Sequence, residues 1–238
     1  RALELRGLSA DFGARSRYSD AQSTLSLASQ RADNPERDED AFLSARALAR
    51  ADRDEEAVVA YDRDTRTVRG RWGDEAAFRA AWLVGSLGRN DEAIARYQAY
   101  LRDRPGASEA NRSESAWQLG WTLLRAGRFS EASAALEQSS GIATRGLEKG
   151  RGRYWSAVAM LRANEPDRAV AAFRGLIAER PLTYYAMLAE ARLRERGLTV
   201  APPREPAPAR SAPPSALPEG VRFLHALGFD HEAGQMLA

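Results

Sequence analysis

A small residue followed four positions later by a large one appears four times along this chain of 238 residues. The small residues are Ala57, Ala93, Ala132 and Ala169, at intervals of 36, 39 and 37 residues, and the large ones are Tyr61, Tyr97, Leu136 and Phe173. Positions four apart share one face of a helix, so each pair marks a close helix contact beside a space that a bulky side chain fills. A short helix pair can bury its apolar face only against its neighbours. The pattern therefore predicts an all-α chain of stacked antiparallel helix pairs.

Turn residues follow the same register. Gly88 and Gly127 each stand five residues before one of these alanines, and Pro105 and Pro181 stand twelve residues after one. Glycine tolerates the backbone of a tight turn, and proline ends a helix. This order of residues resembles the tetratricopeptide repeat, which implies a tetratricopeptide-like α-solenoid, a superhelix of antiparallel helix pairs. We expect that solenoid to occupy residues 1–200.

Three stretches interrupt the pattern. Residues 201–218 carry seven prolines, a density that excludes helix and predicts an extended linker. Residues 219–238 resume the helix-pair pattern and are expected to begin a further helical unit. Within the solenoid, the glycine-rich stretch 141–152 is predicted as a junction, and the charged stretch 62–73 as an irregular connection.

Composition excludes several classes of function. No apolar run approaches the roughly 20 residues that span a bilayer, so no transmembrane segment is expected. The chain has no cysteine, which excludes disulfides and thiol chemistry. Its 35 basic residues are interspersed with 33 acidic ones, which argues against a nucleic-acid surface. His225 and His231 are the only histidines and have no convincing further ligands. We therefore expect no metal site and no cofactor.

Aromatic residues on the first helices of the pairs are the candidate binding residues. In repeats of this kind the fifth and ninth positions of the first helix face the concave surface, and five such positions are aromatic here: Phe78, Trp82, Trp117, Trp121 and Tyr154. Tryptophan stacks on sugar rings and on apolar peptide side chains. Arg125 and Arg162, one turn further on, are suited to pairing with carboxylates of a ligand or partner. The alternative, that the rings only pack successive helices together, is the commoner role of such a stripe, and the sequence leaves both open.

The C-terminal half of the chain resembles a known family. Residues 115–238 contain RYWSAVAMLRANEPDRAVAAF, then LTYYAMLAEARL, then the proline-rich gap, then VRFLHALGFDHEAGQML. This order resembles the helical ring domain of the soluble lytic murein transglycosylases, in which a Tyr-Tyr-x-x-Leu-Ala motif opens the helix after the last regular repeat. Tyr184, Tyr185, Leu188 and Ala189 match that motif, whereas Ala186 stands where the family often has glycine.

The resemblance implies a scaffold that can also guide the substrate, within a periplasmic enzyme that cleaves peptidoglycan glycan strands. The family's catalytic Glu-Ser motif and its following Gly-Leu-Met-Gln segment are absent, and Glu114-Ser115 is only an imitation at the start of a repeat helix. No catalytic residue is therefore assigned to this chain. Because the chain starts at Arg1 without a signal peptide, we expect a processed or trimmed protein, with a linked catalytic domain following Ala238.

A second class of function stays open. A tetratricopeptide-type protein-interaction solenoid, such as a bacterial cell-envelope assembly factor, has the same repeats but no need of the Tyr-Tyr helix or the proline linker. The expected ligand of the concave face is therefore either a glycan strand or a protein partner.

Overall fold

The chain folds into α-helices throughout the part that the structure describes. A computed structural model describes residues 1–68, 70–199, 218–227 and 234–236, with the side chains of 225–227 left aside. The helices are α1 (Ala2–Ala14), α2 (Tyr18–Ser29), α3 (Arg37–Arg50), α4 (Asp54–Thr67), α5 (Arg71–Ser86), α6 (Asn90–Asp103), α7 (Glu109–Arg125), α8 (Phe129–Ile142), α9 (Gly146–Arg162), α10 (Pro166–Glu179), α11 (Tyr184–Arg194) and α12 (Glu219–Leu227). The predicted all-α, tetratricopeptide-like solenoid is confirmed. None of the described helices combines the length and apolar character needed to span a bilayer.

Each helix from α1 to α10 packs against the next one along the chain. First helices of neighbouring pairs also touch, since α5 contacts both α3 and α7, and α11 contacts α9. Within the described residues no two second helices approach to the same extent. The first helices therefore form one side of the solenoid, along which neighbouring pairs approach each other more closely than on the other side. We call this surface, formed by α1, α3, α5, α7, α9 and α11, the first-helix face.

The turn inside each pair has the same backbone conformation. Positive φ angles of 58°, 79°, 77° and 60° occur at Asp52, Gly88, Gly127 and Asn164, each five residues before one of the register alanines. Glycine adopts this left-handed conformation without strain, and Asp and Asn tolerate it better than other residues. The following residue donates its backbone N–H to a carbonyl five positions earlier, as in Arg128 to Leu123 at 2.9 Å. Each first helix thus ends in the same capped turn.

The register residues lie in the core as predicted. Ala57, Ala93, Ala132 and Ala169 are all 0% exposed, and the large residues that follow them are buried beside them. One apolar cluster extends from α3 to α9, and a second joins α9, α10 and α11 around Phe173. Trp155 packs against both clusters and so connects them.

Two stretches predicted as irregular are mostly helical. In the first, residues 62–73, α4 continues to Thr67 and α5 begins at Arg71. In the second, the glycine-rich stretch 141–152, α8 ends at Ile142 and α9 begins at Gly146, so the junction is shorter than predicted. Its glycines allow close packing: a Cβ on Gly152 would lie 2.7 Å from the Leu136 carbonyl oxygen, and one on Gly150 would lie 3.1 Å from the Tyr185 ring.

Polar contacts between successive repeats join residues that stand about one repeat length apart in the sequence. Arg96 donates to Asp62 at 2.5 Å, Asn111 to Glu75 at 2.6 Å, and the backbone N–H of Thr144 to Glu109 at 3.0 Å. Partners in these contacts stand 34 to 36 residues apart. Half-exposed ion pairs add little stability each, about 0 to 1 kcal/mol. Their repetition instead favours one register of stacking over others.

The residues after the solenoid form a separate unit, Ala201–Ala238. Helix α12 (Glu219–Leu227) lies where the sequence predicts the further helical unit to begin. Nearly all of the predicted linker, residues 201–217, lies outside the described residues, as does His231. The linker and the division at residues 200 and 218 therefore stay predictions.

Asp64 of α4 is a buried acid with an incomplete set of partners. Its side chain is 2% exposed and its Oδ1 is 3.2 Å from the Arg63 guanidinium. Its Oδ2 is buried with no hydrogen-bond partner among the described residues. Burial, more than any other cause, raises the pKa of Asp64, and Asp38 raises it further. The folded state therefore bears a penalty whenever this carboxylate is ionised.

We expect Asp64→Asn to increase the free energy of unfolding at pH 7 by about 1 kcal/mol, because it removes a buried charge that lacks a full set of partners. The folded pKa is raised, so the penalty is present above that pKa and disappears as the pH falls below the unfolded value. Urea denaturation at pH 7 and pH 3 tests this. The gain is expected to vanish at pH 3, and exposed Asp103→Asn is the control, with little effect expected. A variant that is destabilised at pH 7 contradicts the prediction.

Candidate functional site

A continuous row of aromatic rings crosses the first helices of the C-terminal half of the solenoid. We call it the aromatic row; along it stand Trp117, Trp121, Trp155, Tyr154, Tyr185 and Tyr184. Successive ring centroids are 5.9, 5.0, 5.6, 5.8 and 5.0 Å apart. Offset and edge-to-face arrangements at such distances are attractive. The row therefore joins α7, α9 and α11 by ring contacts.

Two arginines hold rings of the row in place. The Arg151 guanidinium lies 4.1 Å from the centroid of the Trp117 ring and donates to Glu114 at 2.8 Å. Arg192 donates to the Tyr154 hydroxyl at 3.1 Å. A cation over a tryptophan face is attracted by the ring, so the Arg151 contact restrains Trp117 as well as α7 against α9. The hydrogen bonds to Tyr154 and Glu195 raise the pKa of Arg192, which stays charged.

The predicted site residues occupy three different environments. Trp117 and Trp121 are half-buried and Trp82 is 44% exposed, so these three rings remain partly accessible. Arg125 and Arg162 are exposed, and neither has a carboxylate partner within the described part of the chain. The role of these residues in binding stays a prediction.

Phe78 and Tyr154 are buried, whereas the repeat register predicts them on the concave surface. They are 6% and 4% exposed, and their rings lie 6.3 Å from Tyr100 and 5.7 Å from Phe173, respectively. Those partners belong to the second helix of the same pair. The fifth position of these first helices therefore points into the pair, and only the ninth position reaches the open surface.

Trp155, a member of the row, and Arg151, which lies over its Trp117 ring, were not among the predicted site residues. Trp155 is half-buried and meets the Trp121 ring edge-on, with an interplanar angle of 88°. The repeat register aligns Trp121 with Val158, whereas the observed partner stands about one turn earlier. Neighbouring first helices cross, so a register counted along the sequence misses such diagonal contacts. Arg151 stands four residues before Trp155, so the two share one face of α9, but no spacing in the sequence points to the contact of Arg151 with Trp117.

Comparison with known proteins supports the tetratricopeptide fold. A family profile described as the tetratricopeptide repeat matches residues 152–183, which include the end of α9 and all of α10. A tetratricopeptide repeat protein from Parabacteroides merdae ATCC 43184 is similar in structure, with a TM-score of 0.59, 18% identity and coverage of 82% of this chain and 72% of that one.

Two further solved structures show the same fold. MamA from Desulfovibrio magneticus RS-1 has a TM-score of 0.55 at 15% identity and covers 74% of this chain and 93% of its own. YrrB, described as a TPR protein with an unusual peptide-binding site, has a TM-score of 0.55 at 12% identity, with coverages of 80% and 92%. At these identities the similarity establishes the fold alone. No curated protein sequence matches the chain significantly.

The resemblance to the soluble lytic murein transglycosylases is wrong. The matches to family profile and solved structures are to tetratricopeptide proteins. Of the Tyr-Tyr pair that suggested it, Tyr185 packs against Gly150 and Tyr154, whereas Tyr184 is 58% exposed at the start of α11. The expected glycan ligand and linked catalytic domain lose their support with it. The periplasmic location came from the same resemblance and stays untested.

Proposed function

We propose that this protein is an interaction solenoid whose first-helix face binds a segment of a protein partner. The observation that carries the proposal is the partly accessible aromatic row. Arg125 and Arg162, which have no carboxylate partner among the described residues, stand on the same helices as its tryptophans. Tryptophan, tyrosine and arginine dominate the binding energy of protein interfaces because they offer large contact areas with few rotatable bonds to restrict. A row of these residues on one face therefore suits a protein ligand.

The internal contacts of the row favour recognition of a protein segment. Trp121 is held between Trp117 and Trp155, and Arg151 restrains Trp117, so the rings are ordered before any partner arrives. Binding to ordered side chains loses less conformational entropy than binding to mobile ones. Packing of the helices and binding of a partner are thus compatible roles for the same rings.

We expect Trp121→Ala to weaken partner binding by about 2 kcal/mol, roughly thirtyfold in dissociation constant. The test starts by selecting peptides from a random display library against the intact chain and measuring their affinities by fluorescence anisotropy. Trp121 also supports its neighbours, so circular dichroism must show an unchanged melting curve for the variant to be interpreted.

Arg125→Ala combined with Arg162→Ala provides a second variant that removes no buried group. Selected peptides with acidic residues are expected to bind it more weakly. The matched control is Arg66→Ala, an exposed arginine on second helix α4 that leaves the first-helix face intact. Selected peptides that bind all variants equally well contradict the proposal, as does a selection that returns no binder.

A further inference from the structure

A second region of the first-helix face carries arginines that lack acidic partners. Arg46 and Arg50 stand one turn apart on α3, and no carboxylate lies within ion-pair distance of either among the described residues. The third cation nearby is Arg79 of α5, which pairs with Glu75 at 3.0 Å. Arg50 lies over the Tyr18 ring at 5.8 Å, a contact that leaves its charge uncompensated. What distinguishes Arg46 and Arg50 from other arginines without an ion pair is that they stand one turn apart and close to a third arginine.

These arginines border two adjoining clefts. One, of about 430 Å³, lies between α1, α2 and α3 and has Tyr18, Leu25 and Leu43 on its walls. The other, of about 330 Å³, lies between α3, α4 and α5 and is lined by Tyr61, Trp82 and Leu83. Arg46 and Arg50 line both clefts and so stand between them. We call the two clefts together the arginine groove, defined by Arg46, Arg50, Arg79 and Trp82.

The charges in the groove act on one another. Burial lowers the pKa of Arg46, and the neighbouring Arg50 and Arg79 lower it further, while Glu75 acts in the opposite sense. Such a cluster keeps cations close together at an energetic penalty that an incoming anion would relieve. The apolar walls of the groove favour an anionic group that belongs to a molecule with apolar side chains. A bare phosphate backbone would leave the Trp82 and Leu43 surfaces uncovered, whereas a peptide that alternates acidic and apolar side chains would cover them.

We propose that the arginine groove binds an extended acidic segment of the protein partner. Glutamate or aspartate side chains of that segment pair with Arg46 and Arg50, and an apolar side chain next to them lies against Trp82. This inference rests on the proposed function, since it takes the first-helix face to be the partner-binding surface. It adds the chemical class of the partner and a contact region in the N-terminal half, separate from the aromatic row.

The test uses the intact chain and two labelled hexapeptides with acetylated and amidated ends, one alternating Glu with Leu and one alternating Gln with Leu. Blocked ends remove the terminal carboxylate, so any charge dependence comes from side chains. By anisotropy at low salt, the Glu peptide is expected to bind at least about tenfold more tightly than the Gln peptide. Raising the salt concentration is expected to reduce the difference, because the groove is open to solvent.

Arg46→Gln combined with Arg50→Gln is expected to abolish most of this difference, and Trp82→Ala to weaken both peptides by about fivefold. The matched control is Arg66→Gln combined with Arg174→Gln, which removes the same charge from exposed positions on second helices α4 and α10. Loss of charge from Arg46 and Arg50 relieves repulsion, so these variants are expected to melt no lower than the parent chain.

Three results would overturn the inference: equal affinities for the two peptides, equal weakening by the control pair, or no binding of either peptide at about 1 mM. The proposed function is judged separately. If library-selected peptides bind through Trp121 while the Arg46 and Arg50 variant binds them normally, the interaction solenoid stands and the acidic segment is rejected.

Discussion

Phe173→Ala is expected to lower the free energy of unfolding by about 3 to 5 kcal/mol. Phe173 is 1% exposed and lies in the apolar cluster that joins α9, α10 and α11. Its ring centroid is 5.7 Å from that of Tyr154, which in turn contacts Tyr185 and Trp155. Removing the ring therefore leaves a cavity directly beneath the aromatic row. Urea denaturation followed by circular dichroism measures the loss.

The conservative variant Phe173→Leu serves as the control, because it keeps an apolar side chain that fills most of the space and is expected to lose less than about 1.5 kcal/mol. Tryptophan emission of the alanine variant is expected to shift toward that of exposed indole, since Trp155 packs against the same cluster. A loss below 1 kcal/mol for the alanine variant would show that α9, α10 and α11 do not pack as described.

Gly152→Ala is expected to destabilise the fold by about 1 to 3 kcal/mol, although it replaces glycine by a better helix former. The added Cβ would lie 2.7 Å from the Leu136 carbonyl oxygen and 2.9 Å from both the Cβ and the backbone nitrogen of Ser140. Two of these three atoms belong to the backbone of α8, so no side-chain rotation relieves the clash. Helices α8 and α9 must move apart, and α9 carries Trp155 and Arg162.

Gly175→Ala is the matched control for this substitution. Gly175 lies inside α10, and a Cβ added there meets no atom within 4 Å. We expect it to stabilise the chain by about 0.5 to 1 kcal/mol through helix propensity alone. Opposite signs for the two glycine substitutions, measured by the same denaturation experiment, would establish the close approach of α8 and α9. Two stabilising substitutions would refute it.

Helix α9 contributes both to the stability of the fold and to the proposed binding surface. One surface of α9 packs on α8 through Gly152 and on α10 against Ala169 and Phe173, while another carries Trp155 against Trp121. A shift of α9 therefore alters the spacing of the rings. We expect Gly152→Ala to weaken peptide binding at the aromatic row even in conditions where the chain remains folded.

The amino-acid sequence alone determined the repeat architecture of this protein. Ala57, Ala93, Ala132 and Ala169 identify the close helix contacts, and the turn residues five positions before them identify the left-handed turns. These features are local or strictly periodic, because helix faces and turns depend on residues within a few positions of one another. The fold class could therefore be predicted from spacing alone.

Only the tertiary structure decided which aromatic residues are accessible and which cations are unpaired. Phe78 and Tyr154 have the same spacing as Trp117, yet they are buried, because each meets a large ring on its partner helix. The glycines at 150 and 152 look like a junction in sequence and are helix contacts in space. Crossing angles and backbone distances between helices set these environments, and they depend on residues tens of positions apart that no local pattern records.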